Sequence, residues 1–512
     1  MNVASRKPII IFRADGNRSM GLGHLYRSAA LASMLRSHFW CGLISFGAPV
    51  EVLERIKLNF DHVDQLGFGD KETFIRKLAE DEVLADGEIV VLDGYHFTTD
   101  LQESLAVVGK KVVCIDDVYR YHFTADVIIN HSPSTDLSDK YSHEDKTALA
   151  FGLDFALLRE PFLLAAREAA PVARSDRFYM CFGGADPQNI STLLLSRLSD
   201  LGFDNPVDVV LGASNPFLPE VRLAADQYPG PVKIHHNLGD EEMIGLYQGA
   251  RLAFLPASTT MLEAIACKVP IVMGYAVDNQ MDIYHGFLNT ELFAGVGDWN
   301  KPQRLKAAID QCLAEDRVTY GTKVDQLIDG YSNVNLSGIF KQLAAGVEPI
   351  VCRRATKIEM HQYFKWANDP VVRSTAVKTD VISWEEHTKW FSRRLVDQDS
   401  LLLFFLYRNR PCGQIRYEVS SSGSAIVSIS IDPGFRGQRL ASRMLAIGQE
   451  QFHSRFPEIP LIVAYIRPDN LASRKTFERV QFSLIEEVNL RGTDLLRYER
   501  RERSLSDKND ES

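Results

Sequence analysis

Short apolar runs alternate with helix-forming stretches along most of this chain, and the alternation starts twice. Between Ile9 and about Phe162 the runs are PIIIF, WCGLISF, EIVVLDGY, KVVCIDD and ADVIIN. The pattern begins again at RFYMCFGGAD and continues through PVDVVLGAS, PVKIHHN, ARLAFLPAS and VPIVMGY to about Ala345. Apolar strands separated by helices read as β-α-β units, each helix carrying the chain back across a parallel sheet buried on both faces. Two α/β halves are expected, residues 8–165 and 170–345. Ligands of such sheets sit at the carboxyl ends of the strands, and a protein of two such halves places its active site in the cleft between them.

After GVEPIVCRRAT the character changes. LLLFFLYRN and SAIVSISIDP follow each other across short polar turns, as adjoining antiparallel strands do, so a third, α+β domain is expected over residues 350–502. The chain ends in RERSLSDKNDES, charged and without apolar periodicity, and residues 503–512 are read as a disordered tail. Three domains suit a length of 512 residues. A net charge of -10 argues against a general nucleic-acid or anionic-membrane binder. No apolar run approaches the roughly 18 residues of a membrane span, so a cytoplasmic protein is expected. The seven cysteines are scattered singly, without C-x-x-C pairs or zinc-like histidine spacing, and are read as reduced, buried thiols.

In GLGHLYR, Gly21 and Gly23 open a helix after the first strand and leave N–H groups and the positive dipole end facing any anion. A dinucleotide fingerprint wants a third glycine where Tyr26 stands and an acid about 20 residues on, where the chain reads LISFGAP. No Lys-Ser/Thr pair follows, which excludes an ordinary P-loop. What remains is His24, with Arg13, Asp15 and Arg27 close in sequence. An imidazole titrates near neutrality and takes a proton from water or a hydroxyl when a carboxylate such as Asp15 orients it. At this level two readings stand side by side: a general base, or a residue that packs the helix.

The second half offers FGGADPQN, with Asn189, and then ASTTMLEAIACKVPIVMGYAVDNQ. Ser258, Thr259 and Thr260 at a helix start suit a diphosphate, Glu263 one turn on suits a ribose diol, and Asn279 and Gln280 offer amide donors and acceptors. As an isolated match, Ser/Thr-x-x-Glu is equally a capping box.

Taken in order, RADGNRSMGLGHLYR, VVLDGYHF, CIDDVYRYHFTADVIINHSP, FGLDFALLREPF, FGGADPQN, STTMLEAI and DNQ resemble the UDP-sugar hydrolases of pseudaminic acid biosynthesis, relatives of the GT-B glycosyltransferases, over about residues 8–345. The resemblance implies two Rossmann-like halves in a GT-B arrangement. It further implies hydrolysis of UDP-2,4-diacetamido-2,4,6-trideoxy-β-L-altropyranose to UDP and free sugar with inversion. His24 falls on the family's catalytic histidine, and Arg13, Asp15, Gly21, Gly23, Arg27, Tyr95, Asn189, Ser258, Thr259, Thr260, Glu263, Asn279 and Gln280 fall on its substrate and UDP side. No metal is expected. One departure is FLPAST, where many relatives carry glycines before Ser-Thr-Thr.

In the third domain, SISIDPGFRGQRLASRML resembles the pyrophosphate loop of the GNAT acetyltransferases, with Ile431, Arg436, Gly437, Gln438, Arg439, Leu440, Ala441 and Ser442 on the acetyl-CoA side. Successive N–H groups of such a loop hold the pyrophosphate. Arg439 replaces the family's middle glycine. VAYIRPDNLASRKTFERVQF matches the later strand and helix, with Asn470 at the helix start also on the acetyl-CoA side. Phe477 stands where many relatives have a tyrosine acid, and Gln481 replaces the usual glycine before Phe482. The segment FKWANDPVVRSTAVKTDVISWEEHTKWFSRRL resembles the substrate side of acetyltransferases acting on nucleotide-linked aminosugars. The resemblance therefore implies acetyl-CoA as co-substrate, N4-acetylation of a UDP-linked deoxy-aminosugar, and then its hydrolysis. Two other readings are a GT-B glycosyltransferase and a nucleotide-sugar hydrolase with a non-catalytic CoA-binding domain.

Overall fold

The computed structural model describes residues 6–16, 22–66, 71–134, 137–169, 175–183, 186–212, 215–315, 317–376, 378–490 and 492–502. The chain divides into two compact units, Met1–Ser337 and Gly338–Ser512. The two α/β halves read from the sequence thus fall in one unit. Contacts within that unit give a reason: Ser332 Oγ donates to Ala156 O (2.7 Å), Asn335 Nδ2 to Asp154 O (2.6 Å) and Arg167 Nη2 to Gly330 O (2.8 Å). The end of the second half is bonded onto the end of the first.

The first strand, β1 (Ile9–Ala14), is buried at every position, as a central parallel strand must be. It is followed by β2 (Trp40–Phe46), β3 (His62–Leu66), β4 (Ile89–Asp93), β5 (Lys111–Ile115), the short β6 (His122–Phe123), β7 (Val127–Asn130), the short β8 (Ser142–His143) and β9 (Ala148–Phe151). The main sheet runs β3-β2-β1-β4-β5-β7-β9, and its pairings are parallel. The second sheet contains β10 (Phe178–Met180), β11 (Val207–Leu211), β12 (Val232–His236), β13 (Leu252–Pro256), β14 (Ile271–Tyr275) and β15 (Ala294–Asp298). Its order is β12-β11-β10-β13-β14-β15, again parallel. In each sheet the winding reverses beside the first strand, between β1 and β4 and between β10 and β13. A crevice opens beyond the carboxyl ends at such a reversal.

Those ends meet inside the unit. Tyr119 Oη donates to Asp282 Oδ2 (3.0 Å) and Lys140 Nζ to Asp282 Oδ1 (2.8 Å). A Cβ at Gly286 would lie 2.8 Å from Ser134 N and 3.0 Å from Pro133, so only glycine lets the loop after β7 close on the helix Met281–Leu288.

Gly338–Ser512 holds β16 (Ile350–Arg354), β17 (Ser400–Tyr407), β18 (Arg410–Val419), β19 (Ser424–Ile431), β20 (Leu461–Ile466), β21 (Ser483–Leu490) and β22 (Thr493–Arg501), ordered β16-β17-β18-β19-β20-β22-β21. The first four strands are antiparallel, as the adjoining apolar runs require. β19 and β20 are parallel and pair over Ser424–Ile426 with Leu461–Val463, after which they part. The 16-residue helix Leu440–Arg455 follows β19 and buries Leu440, Met444, Leu445 and Phe452 in the core.

All seven cysteines are buried, and burial pushes the Cys181 thiol up to about 11 and the Cys412 thiol to about 12. No helix among the described residues is long and apolar enough to cross a membrane. The expected tail, 503–512, lies outside the described residues.

Candidate active sites

His24 is the second residue of the helix Gly23–Leu35, which follows β1, and it is buried. Its Nδ1 lies 2.9 Å from Oδ1 of Asp93, the last residue of β4. The same carboxylate accepts from Arg27 Nη2 (2.6 Å), Arg27 Nε (3.1 Å) and Ser28 Oγ (3.2 Å). Residues 24, 27 and 28 share a helix face because three- and four-residue steps do. Burial alone raises the Asp93 carboxyl, but the Arg27 charge and the His24 contact outweigh it and hold it below the usual range. An ionised carboxylate only accepts, so Nδ1 carries a proton, and in the neutral ring the lone pair is on Nε2. Arg27 Nη2 also comes within 3.2 Å of Nδ1, but two donors share no bond, so its hydrogens serve Asp93. Arg27 Nη1 reaches Asp117 at 3.0 Å.

The carboxylate expected to orient His24 was Asp15, and the structure corrects this. Asp15 pairs with Arg13 and accepts from Phe46 N (2.8 Å) and His96 Nε2 (3.0 Å). Arg13 is buried with its guanidinium 4.0 Å from the centre of the Phe46 ring. This pair anchors the end of β1. Asp93 was visible as the acid closing the run IVVLD, but its adjacency to His24 depends on β4 lying beside β1, which local sequence does not encode.

The Tyr95 ring meets His24 edge to face, centroids 4.5 Å apart, and its oxygen accepts from Asn279 Nδ2 at 3.1 Å. Burial pushes the Tyr95 phenol up to about 12, so it stays neutral. Through Tyr95 the structure joins His24 of the first half to Asn279 of the second. Gly23 is exposed, and a Cβ there would meet none of the described residues within 4 Å. Gly21 lies outside the described residues.

In the second half, Ser258 caps the helix Thr259–Ala266 in extended conformation without a side-chain hydrogen bond. The capping-box reading is therefore not what forms, and the N–H groups beside Thr259 and Thr260 are uncapped. Glu263 turns instead to Arg159 Nη2 (2.6 Å), which also pairs with Asp240. Burial keeps the Glu263 carboxyl above its ordinary value despite Arg159. Gln280 Oε1 accepts from Ala276 N (2.8 Å) and closes the turn after β14. Asn189 is left-handed (φ 53°) and accepts from Thr192 Oγ1 (2.6 Å). Asp186 accepts from Ile190 N and Ser191 N (both 2.9 Å), which closes that helix start to an anion.

In Gly338–Ser512 the run from Ile431 at the end of β19 to the helix Leu440–Arg455 passes through Arg436, Gly437, Gln438 and Arg439. Gly437 (φ 79°) and Arg439 (φ 60°) are both left-handed. Arg439 thus takes the conformation of the glycine it replaces, at a cost in strain. No side chain caps this helix, so the N–H groups around Leu440, Ala441 and Ser442 point outward. Arg436 Nη2 is held by Asp369 Oδ1 (2.5 Å), and Gln438 Nε2 donates to Gly434 O (3.2 Å). Asn470 caps its own helix, accepting from Ser473 N at 3.1 Å. Phe477 is buried edge-to-face against Phe482, and Tyr498 Oη donates to Glu478 (2.9 Å).

Among the described residues, His62, Asp64 and Asp81 have metal-like spacing, but Lys77 Nζ already sits 2.9 Å from Asp64 and 3.2 Å from Asp81.

The family model for the acetyltransferase (GNAT) domain matches residues 350–483. The chain carries a GNAT acetyltransferase domain. The match agrees with the strand pattern of this unit and supports acetyl-CoA as the co-substrate. Among curated proteins, an uncharacterised protein of Methanocaldococcus jannaschii is 23% identical over 491 residues, covering 91% of this chain and 95% of that protein. That alignment is longer than either unit, so it spans both. The UDP-2,4-diacetamido-2,4,6-trideoxy-β-L-altropyranose hydrolase of Campylobacter jejuni is 23% identical over 279 residues, 53% of this chain and 93% of that protein. The chain is thus similar to that hydrolase over half its length and bears the GNAT domain besides. Among solved structures, the aminoglycoside acetyltransferase AAC(6')-Ib with coenzyme A has 11% identity and a TM-score of 0.28, covering 31% of this chain and 99% of that one. The spermidine N-acetyltransferase of Vibrio cholerae with CoA and spermine has 14% identity and a TM-score of 0.28, covering 30% and 95%.

Proposed function

We propose that Met1–Ser337 hydrolyses a UDP-linked deoxy-aminosugar and that Gly338–Ser512 N-acetylates the preceding UDP-aminosugar. The observation that carries the first part is the buried His24–Asp93 contact at the carboxyl end of the first sheet. With Nδ1–H held by Asp93, His24 Nε2 takes a proton from water as the water oxygen bonds to the anomeric carbon. The bond from that carbon to the diphosphate breaks, its electron pair leaves on UDP, and a single displacement inverts the anomeric centre. The uncapped helix start at Ser258–Thr260 stabilises the charge on the departing diphosphate, and Asn279, Gln280 and Tyr95 line its approach. Metal-free hydrolysis of UDP-2,4-diacetamido-2,4,6-trideoxy-β-L-altropyranose is the specific reaction the sequence resemblance favours. The reversing strand orders and the return contacts of Ser332 and Asn335 support a GT-B-like pairing of the halves.

In the second unit the left-handed loop and uncapped helix at Arg436–Ser442 support binding of the acetyl-CoA pyrophosphate. The parting of β19 from β20 frees strand N–H groups for the thioester oxyanion. A neutral 4-amino group bonds to the thioester carbonyl carbon, the carbon–sulfur bond breaks with its electron pair on sulfur, and the proton the nitrogen gives up passes through solvent to the sulfur, leaving the amide and CoA thiol.

Incubation of the protein with the UDP-diacetamido sugar alone tests the first part. Free sugar and UDP are expected, and His24→Ala is expected to keep UDP binding while losing hydrolysis. Equal rates for the two proteins overturn the assignment, and release of sugar only with an added acceptor favours a GT-B glycosyltransferase. Acetyl-CoA turnover with the 4-amino UDP-sugar tests the second part. Thiol release no faster than the blank leaves a CoA-binding module.

A further inference from the structure

A second histidine stands at the same edge of the first sheet. His131 directly follows Asn130, the last residue of β7, as His24 and Asp93 lie beyond β1 and at the end of β4. Its loop is rigidly made: Asn130 Oδ1 accepts from Ser132 N (2.8 Å), and Asn130 Nδ2 donates to Tyr141 Oη (2.9 Å). The next residues, Pro133 and Ser134, close on Gly286 of the second half, so the loop lies where the two sheets' carboxyl ends meet.

His131 is 6% exposed, and its Nδ1 accepts from the backbone N–H of Leu157 at 3.3 Å. A backbone amide only donates, so Nδ1 bears no proton and the proton of the neutral ring is on Nε2. Burial, reinforced by the Arg27 charge, pushes the imidazolium down to about 4, and the carboxylates of Asp117 and Asp93 do not compensate. The ring therefore stays neutral through the range in which a histidine base works.

We propose that the Nε2–H of His131 is a fixed, uncharged hydrogen-bond donor to an oxygen of the glycosyl diphosphate, positioning it beside His24. This rests on the hydrolase reading. The two histidines then have separate roles, since His24 Nε2 offers a lone pair and accepts the water proton, whereas His131 Nε2 offers a hydrogen and exchanges none. A cationic donor here would be repelled by Arg27, and a second base would compete for water.

Two experiments test the proposal. Long-range proton–nitrogen NMR of the histidine-labelled full chain is expected to find His131 with unprotonated Nδ1 and protonated Nε2 across neutral pH. A doubly protonated ring or the opposite tautomer overturns the proposal whatever the activity of the protein. Kinetically, His131→Phe is expected to lower kcat/KM by about 10- to 100-fold, the size of one lost hydrogen bond to a charged oxygen. His131→Gln, which keeps an N–H donor, is expected to recover part of that loss, and the acid limb of the pH profile stays where it is in the wild type. Loss of the acid limb in His131→Phe makes His131 the base and overturns the division of roles. Unchanged kcat/KM in both variants overturns the substrate contact while leaving hydrolysis intact. No sugar release by the wild type overturns the hydrolase reading and the substrate contact with it. If His131→Phe does not fold, the tautomer and the comparison of His131→Gln with wild type still decide.

Discussion

At the scale of single residues, the role proposed for His24 depends on which ring nitrogen holds the proton, and the contact that bears on this is with one buried carboxylate. Asp93 is fully buried and accepts from His24, Arg27 and Ser28. Asp93→Asn presents an amide that can donate to Nδ1, which moves the ring proton to Nε2 and removes the lone pair that the proposed base uses. By analogy with the loss on amidating the aspartate of a Ser-His-Asp triad, a fall in kcat of roughly 10³- to 10⁴-fold is expected. UDP affinity, measured by calorimetry, is expected to change little, because Asp93 lies against the histidine helix rather than the Ser258–Thr260 helix. Unchanged kcat would remove Asp93 from the mechanism. The pH dependence follows from the same contacts. The Asp93 carboxyl is held below its usual range, so it stays ionised down to the ordinary carboxylate range. Asp93 gives up its charge and its contribution to stability only as pH falls below the ordinary carboxylate range, so a loss of activity at higher pH is not its own. His24 stood out as a candidate from its setting after glycines at a helix start, with a base and a packing role both open at that level. Asp93 did not, because it is 69 residues away and meets His24 only through the β1–β4 pairing.

At the scale of elements, helix starts divide the candidate ligand sites. Among the described residues no side chain caps the helices starting at Gly23, Thr259 and Leu440, whereas those after Asn189 and Asn470 are closed by Asp186 and by Asn470 itself. STTMLE and ADPQN both read as cap signals in sequence, and local spacing does not say which side chain turns inward. Glu263 leaves its own helix start because Arg159 offers a buried charge. Backbone hand was legible in a different way. Arg439 and Gln481 stand where the GNAT pattern has glycine, and both are left-handed, at φ 60° and 71°. Both residues stand in the region that favours glycine and bear the strain of a Cβ in it. Gln481→Gly lies on the turn between the helix Leu471–Arg479 and β21. Relief of about 1–2 kcal/mol of left-handed strain, offset by about 0.5–1 kcal/mol of added chain entropy, gives a net stabilisation of roughly 0.5–1 kcal/mol. Urea unfolding monitored by circular dichroism is expected to show a higher midpoint with unchanged slope. A lower midpoint would mean that the glutamine side chain contributes more than its backbone conformation costs.

At the scale of the whole molecule, alternation of apolar runs was enough to read two parallel sheets and an antiparallel domain, since strand direction follows from what connects the strands. The joining of the first two into one unit was not, because it rests on long-range bonds such as Ser332 to Ala156 and Asn335 to Asp154 that leave no local pattern. The division into Met1–Ser337 and Gly338–Ser512 separates the two sets of candidate residues completely, so each activity is expected to be removable without the other. Supplied with the 4-amino UDP-sugar and acetyl-CoA, the wild-type chain is expected to yield free diacetamido sugar, UDP and CoA. His24→Ala is expected to stop one step earlier and accumulate the acetylated UDP-sugar at the wild-type rate of CoA release. Gly437→Val forces a β-branched residue into the left-handed region that the loop requires, so it is expected to slow acetylation by at least roughly tenfold. The same variant, given the acetylated UDP-sugar directly, is expected to hydrolyse it at the wild-type rate. Mass spectrometry of the sugar products separates these cases in one assay. If either substitution removes both steps from correctly folded protein, the activities are not divided between the units as proposed.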